Sequence, residues 1–205
     1  MKTILIANPK GGSGKTTLST NIAGFFASLG NRVALLDMDR QQSASLWLAS
    51  RSDDLPEIRA MKYDNEPDQP SNLLVIDSAA GLSGSNLACS LVKQAHKIIV
   101  PVVPSLYDLQ ASGDFLEELL EEKKIRNSNC DIGVVGMRMS PRTRAATMLE
   151  EFLDKLDLPI LAYLRETQVY VNAAFEGRSL FDLPHYLADR ELEQWTLLKE
   201  WLSKE

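Results

Sequence analysis

Apolar residues along this chain fall into short unbroken runs, and longer stretches with helical spacing separate them. The runs are Thr3 to Ala7, Arg32 to Asp37, Leu73 to Asp77, Ile98 to Val103, Ile132 to Met137 and a weaker Ile160 to Leu164. Most are apolar throughout instead of alternating, which is the pattern of strands buried on both faces. Helices are predicted between and after them, at about Lys15 to Leu29, Gln42 to Ser50, Ser83 to Gln94, Asp108 to Lys124, Thr143 to Leu156, Gln168 to Glu176 and Asp189 to Leu202. Gly30-Asn31 supplies the left-handed stop of the first helix. The stretch from Ser52 to Ser71 is polar and carries Pro56, Pro67 and Pro70, so it reads as a surface connection with little regular structure. The alternation predicts one α/β domain over residues 1–205, a mostly parallel twisted sheet with helices on both faces.

Composition narrows the class. The chain has 205 residues, 44% of them hydrophobic and 24% charged, enough for a substantial globular core. Its longest apolar runs fall far short of a membrane span. No basic-then-apolar leader precedes the first strand, which points to the cytoplasm. Cys89 and Cys130 are too few for a disulfide scaffold. A net charge of −6 argues against a whole-surface affinity for nucleic acid and leaves room for a local basic patch.

The chemistry concentrates after the first strand, in Lys10-Gly11-Gly12-Ser13-Gly14-Lys15-Thr16-Thr17. Strand, glycine loop, helix is the context of a phosphate-binding loop. Glycines let the backbone curl so that several N–H groups point into one concavity, and a helix beginning at Gly14 or Lys15 adds the positive end of its dipole. Lys15 is placed to reach the β- and γ-phosphates, and the Thr16 hydroxyl to ligate Mg²⁺. The usual pattern has a glycine five positions before Gly14, where Pro9 stands, so this is a variant loop with an extra lysine, Lys10, at its mouth. The second strand ends in Asp37-Met38-Asp39, and two carboxylates there suit Mg²⁺ and water handling. The third ends in Asp77, a single carboxylate delivered by an apolar strand, which suits a Mg²⁺ shell.

The run from Asn8 to Thr17 resembles the deviant Walker A loop of the ParA/MinD family of P-loop ATPases, in which few other families share the second lysine. The resemblance implies that Lys10 reaches across a homodimer interface to the phosphates held by the other subunit. It implies that Asp39 orients the attacking water; Arg40 stands where the family has proline, which loosens the turn. Leu73 to Asp77 looks like a Walker B strand, with Gly81 following as a glycine able to approach the γ-phosphate. Pro101 to Asp108 resembles the family's Pro-x-x-Pro-Ser-x-x-Asp segment, dimer-facing in that family, with Asp108 a candidate helix cap and Leu109, Leu116 and Leu119 or Leu120 a buried face. Adenine recognition falls at Met137, Arg138 and Met139, where Arg138 either stacks on the base or pairs with a carboxylate.

Resemblance extends over nearly the whole chain, through Tyr163-Leu164-Arg165 and Tyr170 to Phe181, and is strongest to the short ParA-type partition ATPases without an N-terminal DNA-reading domain. It implies ATP and Mg²⁺ as cofactors and a partner protein, ParB-like or equivalent, that stimulates hydrolysis and links a cargo. It also implies non-specific DNA binding and nucleoid association in the ATP state. Arg142, Arg144, Arg165 and Arg178 are the candidate DNA contacts, with Arg138 beside them and Lys93 and Lys97 weaker. The MinD branch ends in a basic membrane helix. Here the last segment is more acidic than basic, so Trp195 and Trp201 are expected to pack on the domain and no membrane partner is expected. The iron-protein branch uses paired cysteines in glycine-rich surroundings, which Cys89 and Cys130 lack. A metabolic or cofactor-assembly ATPase acting on a small substrate is the competing class.

Overall fold

A computed structural model of the chain describes residues 1–62, 71–81, 91–125 and 129–204. Seven strands form one sheet: β1 (Lys2–Ile6), β2 (Val33–Asp37), β3 (Ile58–Met61), β4 (Leu73–Asp77), β5 (Lys97–Val102), β6 (Asp131–Met137) and β7 (Ile160–Leu164). They lie in the order β3-β2-β4-β1-β5-β6-β7, and every pairing is parallel. The helices are α1 (Lys15–Ser28), α2 (Ser43–Ala49), α3 (Leu106–Ile125), α4 (Arg144–Asp154), α5 (Gln168–Phe175), α6 (His185–Gln194) and α7 (Thr196–Ser203), with a 3₁₀ turn at Leu180–Asp182. The predicted helix from Ser83 to Gln94 lies mostly outside the described residues, as do Cys89, Pro67 and Pro70; residues 91–94 are helical.

Successive strand residues serve opposite cores, because the side-chain period of a strand is two. Ile4 and Ile6 join a cluster with Leu18, Ile22 and Phe26 of α1, Trp47 of α2 and Trp195, Leu198 and Leu202 from the C-terminal part. Leu5 and Ala7 join another with Phe115, Leu116 and Leu119 of α3 and Ala146, Leu149 and Leu153 of α4. Burial on both faces is why the strands read as continuous apolar runs. Among the described residues no helix is long and apolar enough to cross a membrane.

Four local expectations are corrected. The polar stretch from Ser52 to Ser71 contains a strand, β3, which pairs with β2 at the sheet edge. It has only Ile58 buried and Arg59 inside it, so an edge strand this short leaves no unbroken apolar run. The helix expected from Asp108 begins two residues earlier, at Leu106. Ser105 caps it by accepting the Asp108 N–H at 3.1 Å, and the Asp108 carboxylate bonds back to the Ser105 hydroxyl. The single terminal helix from Asp189 to Leu202 is two helices, α6 and α7, which meet at Trp195. Trp195 is fully buried with its indole N–H donating to the Tyr170 hydroxyl at 2.8 Å, and a side chain fixed that way sets where the chain turns. Finally, Lys97 is not a surface cation. It is 2% exposed, pairs with Asp131 at 3.0 Å and lies 4.5 Å over the Trp201 ring.

Candidate nucleotide site

β1 sits between β4 and β5, so its carboxyl end opens near the middle of the sheet, at a change in strand order where ligands of open parallel sheets bind. Register brings the pieces to one level. Asp77 stands beside Ile6 on one side and Asp37 on the other. The chain leaving β1 forms the loop and then enters α1 with the Leu18 N–H on the Gly14 carbonyl at 3.0 Å.

Gly14 is required twice over. Its φ is +95°, and a Cβ there would come within 2.6 Å of the Met137 methyl. That contact carries the loop onto the end of β6, next to Arg138. The loop is held by its own polar groups. The Gly81 N–H donates to the Pro9 carbonyl at 2.9 Å. The Lys10 N–H donates to Asn8 Oδ1 at 2.8 Å, and the Lys10 carbonyl accepts from Lys15 Nζ at 2.9 Å and Ser13 Oγ at 3.2 Å. In contrast, the N–H groups of residues 11–17 donate to no protein acceptor among the described residues. They line a concave backbone whose donors suit an anion. Lys10 is exposed and Lys15 buried. Burial pulls the Lys15 ammonium below its usual range, and the charges of Asp77 and Asp39 oppose that.

The carboxylates divide into two arrangements. Asp77 is fully buried and accepts from the Thr16 hydroxyl at 2.7 Å and the Ser19 hydroxyl at 3.1 Å. Burial pushes it up to about 6, against the pull of those two hydrogen bonds, with the neighbouring Asp37 charge raising it further. A buried carboxylate in contact with the loop hydroxyl is a set of hard oxygen donors of the kind Mg²⁺ takes. Asp37 holds the turn after β2: its oxygens accept the Asp39 N–H at 3.0 Å and the Ser45 N–H at 2.8 Å, the second at the start of α2. Asp39 accepts the Gln41 N–H on Oδ1 at 2.9 Å, and its Oδ2 has no hydrogen-bond partner among the described residues. Gln42 takes φ +54° here with its side-chain amide on the Asp39 carbonyl at 2.8 Å. Side chains thus brace a turn in which Arg40 replaces a proline.

Beside the loop, a cleft of about 510 Å³ runs between α1, α2 and α5, with Thr16, Thr17 and Thr20 on one wall and Leu46, Trp47 and Phe175 on the other. Leu46 and Phe175 are exposed. The arginines separate by environment. Arg165 pairs with buried Glu191 and Arg178 with Glu176 at 3.3 Å. Arg138, Arg142 and Arg144 are exposed and have no side-chain partner among the described residues. Arg138 and Arg142 adopt φ +51° and +65°, so the short turn between β6 and α4 is tightly folded, with Thr143 capping α4 through the Ala146 N–H at 3.2 Å. Sequence reasoning missed Asn8, Ser19 and Ser112. Ser19 lies one turn after Thr16 and so shares its helix face; Asn8 is a polar residue closing an all-apolar run, which is a signal. Ser112 carries none.

Residues 4–180 match the CobQ/CobB/MinD/ParA nucleotide binding domain. The chain is 31% identical over 191 residues, 88% of it and 87% of the relative, to maintenance of carboxysome distribution protein A of Halothiobacillus neapolitanus. Its fold is similar to that of an Asp-to-Ala variant of Cyanothece McdA in complex with ATP, at a TM-score of 0.74 and 16% identity, covering 100% of this chain and 97% of that one. It is also similar to the septum site-determining protein MinD of Pyrococcus horikoshii complexed with Mg-ADP, at a TM-score of 0.69 and 18% identity, covering 99% and 96%.

Proposed function

Because this chain belongs to the CobQ/CobB/MinD/ParA family of nucleotide-binding P-loop ATPases, we propose that it is a ParA-type positioning ATPase that dimerises on ATP, binds DNA without sequence preference and moves a cargo. The observation that carries the reading is the loop itself: seven consecutive N–H groups, from Gly11 to Thr17, without protein acceptors among the described residues, with buried Lys15 among them and exposed Lys10 just before them.

Gly11, Gly12, Ser13, Gly14, Lys15, Thr16 and Thr17 hold the triphosphate by backbone N–H groups and by the Lys15 ammonium, which a phosphate draws from the Lys10 carbonyl. Thr16, Asp77 and, one strand further out, Asp37 would hold Mg²⁺, which would supply charge neutralisation to the triphosphate. Gly81 sets the approach of the chain after β4 to the loop, and Arg138 lies beside the nucleoside. Asp39, with one oxygen unbonded among the described residues, orients the attacking water and accepts its proton. Lys10 serves the nucleotide of a second copy, where an ammonium offsets charge developing on the transferred phosphoryl. Only the γ-phosphate completes that closed pair, so hydrolysis opens it.

Exposed Arg142 and Arg144, without side-chain partners among the described residues, support the DNA contact, with Arg165 and Arg178 contributing once freed from Glu191 and Glu176. A cargo-adaptor protein stimulates turnover. The relative named for carboxysome distribution makes a protein assembly the first cargo to test, ahead of a plasmid or chromosome. The experiment is ATP-dependent dimerisation by light scattering with Lys10→Ala beside the unaltered chain. Lys10→Ala is expected to bind ATP and to dimerise about 100-fold more weakly, a loss of about 2.7 kcal/mol; an intact dimer overturns the trans-lysine role. Gel shifts on random-sequence DNA at two salt concentrations, with and without ATP, test the rest. Absence of ATP-dependent binding favours a small-substrate ATPase.

A further inference from the structure

We propose that Asn8 is a positioning residue for Lys10, and that Ser112 on α3 is coupled to the loop mouth through it. This rests on the reading of Lys10 given above and adds the device that aims its ammonium.

Asn8 is 1% exposed and uses its whole side-chain amide. Nδ2 donates to the Pro101 carbonyl at 2.7 Å and to Ser112 Oγ at 2.9 Å. Oδ1 accepts the Lys10 N–H at 2.8 Å. The other side of Lys10 is held as well: its carbonyl accepts from Ser13 Oγ, a bond that stays when phosphate draws Lys15 Nζ away, and the preceding Pro9 carbonyl accepts from Gly81. Both peptide groups of Lys10 are therefore fixed while its side chain is exposed. Fixing the N–H and the C=O of a residue fixes the direction of its Cα–Cβ bond, and with it the cone the ammonium can reach.

The route from Ser112 to Lys10 is one unbroken line, hydroxyl to amide to N–H. Ser112 is itself 1% exposed. It lies in α3, the helix that leaves the stiff Pro101 to Pro104 exit of β5. A shift of α3 against β1 either breaks the Asn8–Ser112 bond or carries the Asn8 amide away from the Pro101 carbonyl or the Lys10 N–H. A buried amide satisfied on every side makes such a coupling expensive to break, because each broken bond leaves a buried polar group unpaired. The position of α3 thus sets the direction of Lys10.

The test measures ATP-dependent self-association by sedimentation, nucleotide affinity with a fluorescent ATP analogue, and thermal unfolding. The variants are Asn8→Ala and Ser112→Ala, each alone and combined with Lys10→Ala. Asn8→Ala is expected to weaken association about tenfold and nucleotide affinity by a smaller factor. Ser112→Ala keeps the Asn8–Lys10 bond and is expected to weaken association about threefold. In the Lys10→Ala background either substitution adds less than about twofold, because both act through the missing ammonium. The full loss recurring in that background overturns the inference and makes Asn8 a fold-holding residue only. So does unchanged association in both single variants when Lys10→Ala weakens it. If Asn8→Ala does not fold, the Ser112→Ala pair decides by the same criterion. If Lys10→Ala itself associates normally, the reading of Lys10 fails first and the inference with it.

Discussion

The two ends of the sheet treat their cations differently. At the amino ends of the strands, the Lys2 ammonium donates to the carbonyls of Leu202 and Lys204 at 3.1 and 2.8 Å. Lys97 is buried between Asp131 and Trp201. Both charges there close the C-terminal helix onto the sheet. At the carboxyl ends, Lys10, Arg40, Arg138, Arg142 and Arg144 are exposed and have no side-chain partner among the described residues. A parallel sheet puts all its loops of one kind on one rim, so the contrast follows the topology, though not at every cation: Arg32 and Lys93 stay exposed at the amino rim and Arg165, after β7, pairs with Glu191, but the cations around the loop itself are kept for something outside the chain. Arg51 shows the sealed condition away from both rims. It leaves the far end of α2 and forms two bonds to Asp182, at 2.8 and 2.9 Å, with side-chain exposures of 5% and 1%.

The comparison can be broken at four points. Lys15→Ala removes the buried ammonium of the open rim and is expected to lower ATP affinity about a thousandfold, or about 4 kcal/mol, in calorimetric titration. Normal affinity ends the loop assignment. Arg51→Ala strands a buried carboxylate and is expected to cost about 3 kcal/mol in denaturant unfolding. Burial works against ionisation of Asp182, but the hydrogen bonds from Arg51 and Ser179 win and hold its carboxyl below the usual range. That stability is fully present above the unfolded carboxylate value of about pH 4 and is lost as pH falls through the lower folded value. The difference between Arg51→Ala and the unaltered chain therefore shrinks in acid; a constant difference from pH 7 to 3 contradicts the pairing.

Smaller effects sharpen the contrast. Replacing Arg142 and Arg144 together with alanine is expected to weaken DNA binding about tenfold and to flatten its salt slope by about two per protomer, with unfolding free energy changed by less than about 0.5 kcal/mol. A large loss of stability instead places these arginines with the sealed ones. Lys97→Met keeps the buried stem and is expected to cost about 1 kcal/mol of stability while leaving DNA affinity unaltered in the same gel-shift assay.

Legibility in the sequence follows distance along the chain. The central strands were readable because burial on both faces writes them as apolar runs; β3 was not, because an edge strand carrying Arg59 has no such run. The loop was readable because its glycines, lysines and threonines are contiguous, and Asp37 and Asp77 because each ends a strand, with Asp39 two residues past the first. The contacts that brace the site join residues far apart: Asn8 to Ser112 across 104 positions and Ser19 to Asp77 across 58. No local pattern records those. Paired arginines are equally opaque. Arg165 and Arg144 look alike as letters, and only the fold sets Glu191 beside the first.

The bond from Lys2 to the last carbonyls has a consequence for engineering. Positions 2 and 204 share one corner, on the rim opposite the loop. A short covalent bridge between residues 2 and 204 at that corner, with the chain cut in the exposed 52–54 turn, leaves each strand with its neighbours. Connectivity and architecture are separable here, and a fluorescent tag placed at the corner sits on the side of the molecule away from nucleotide.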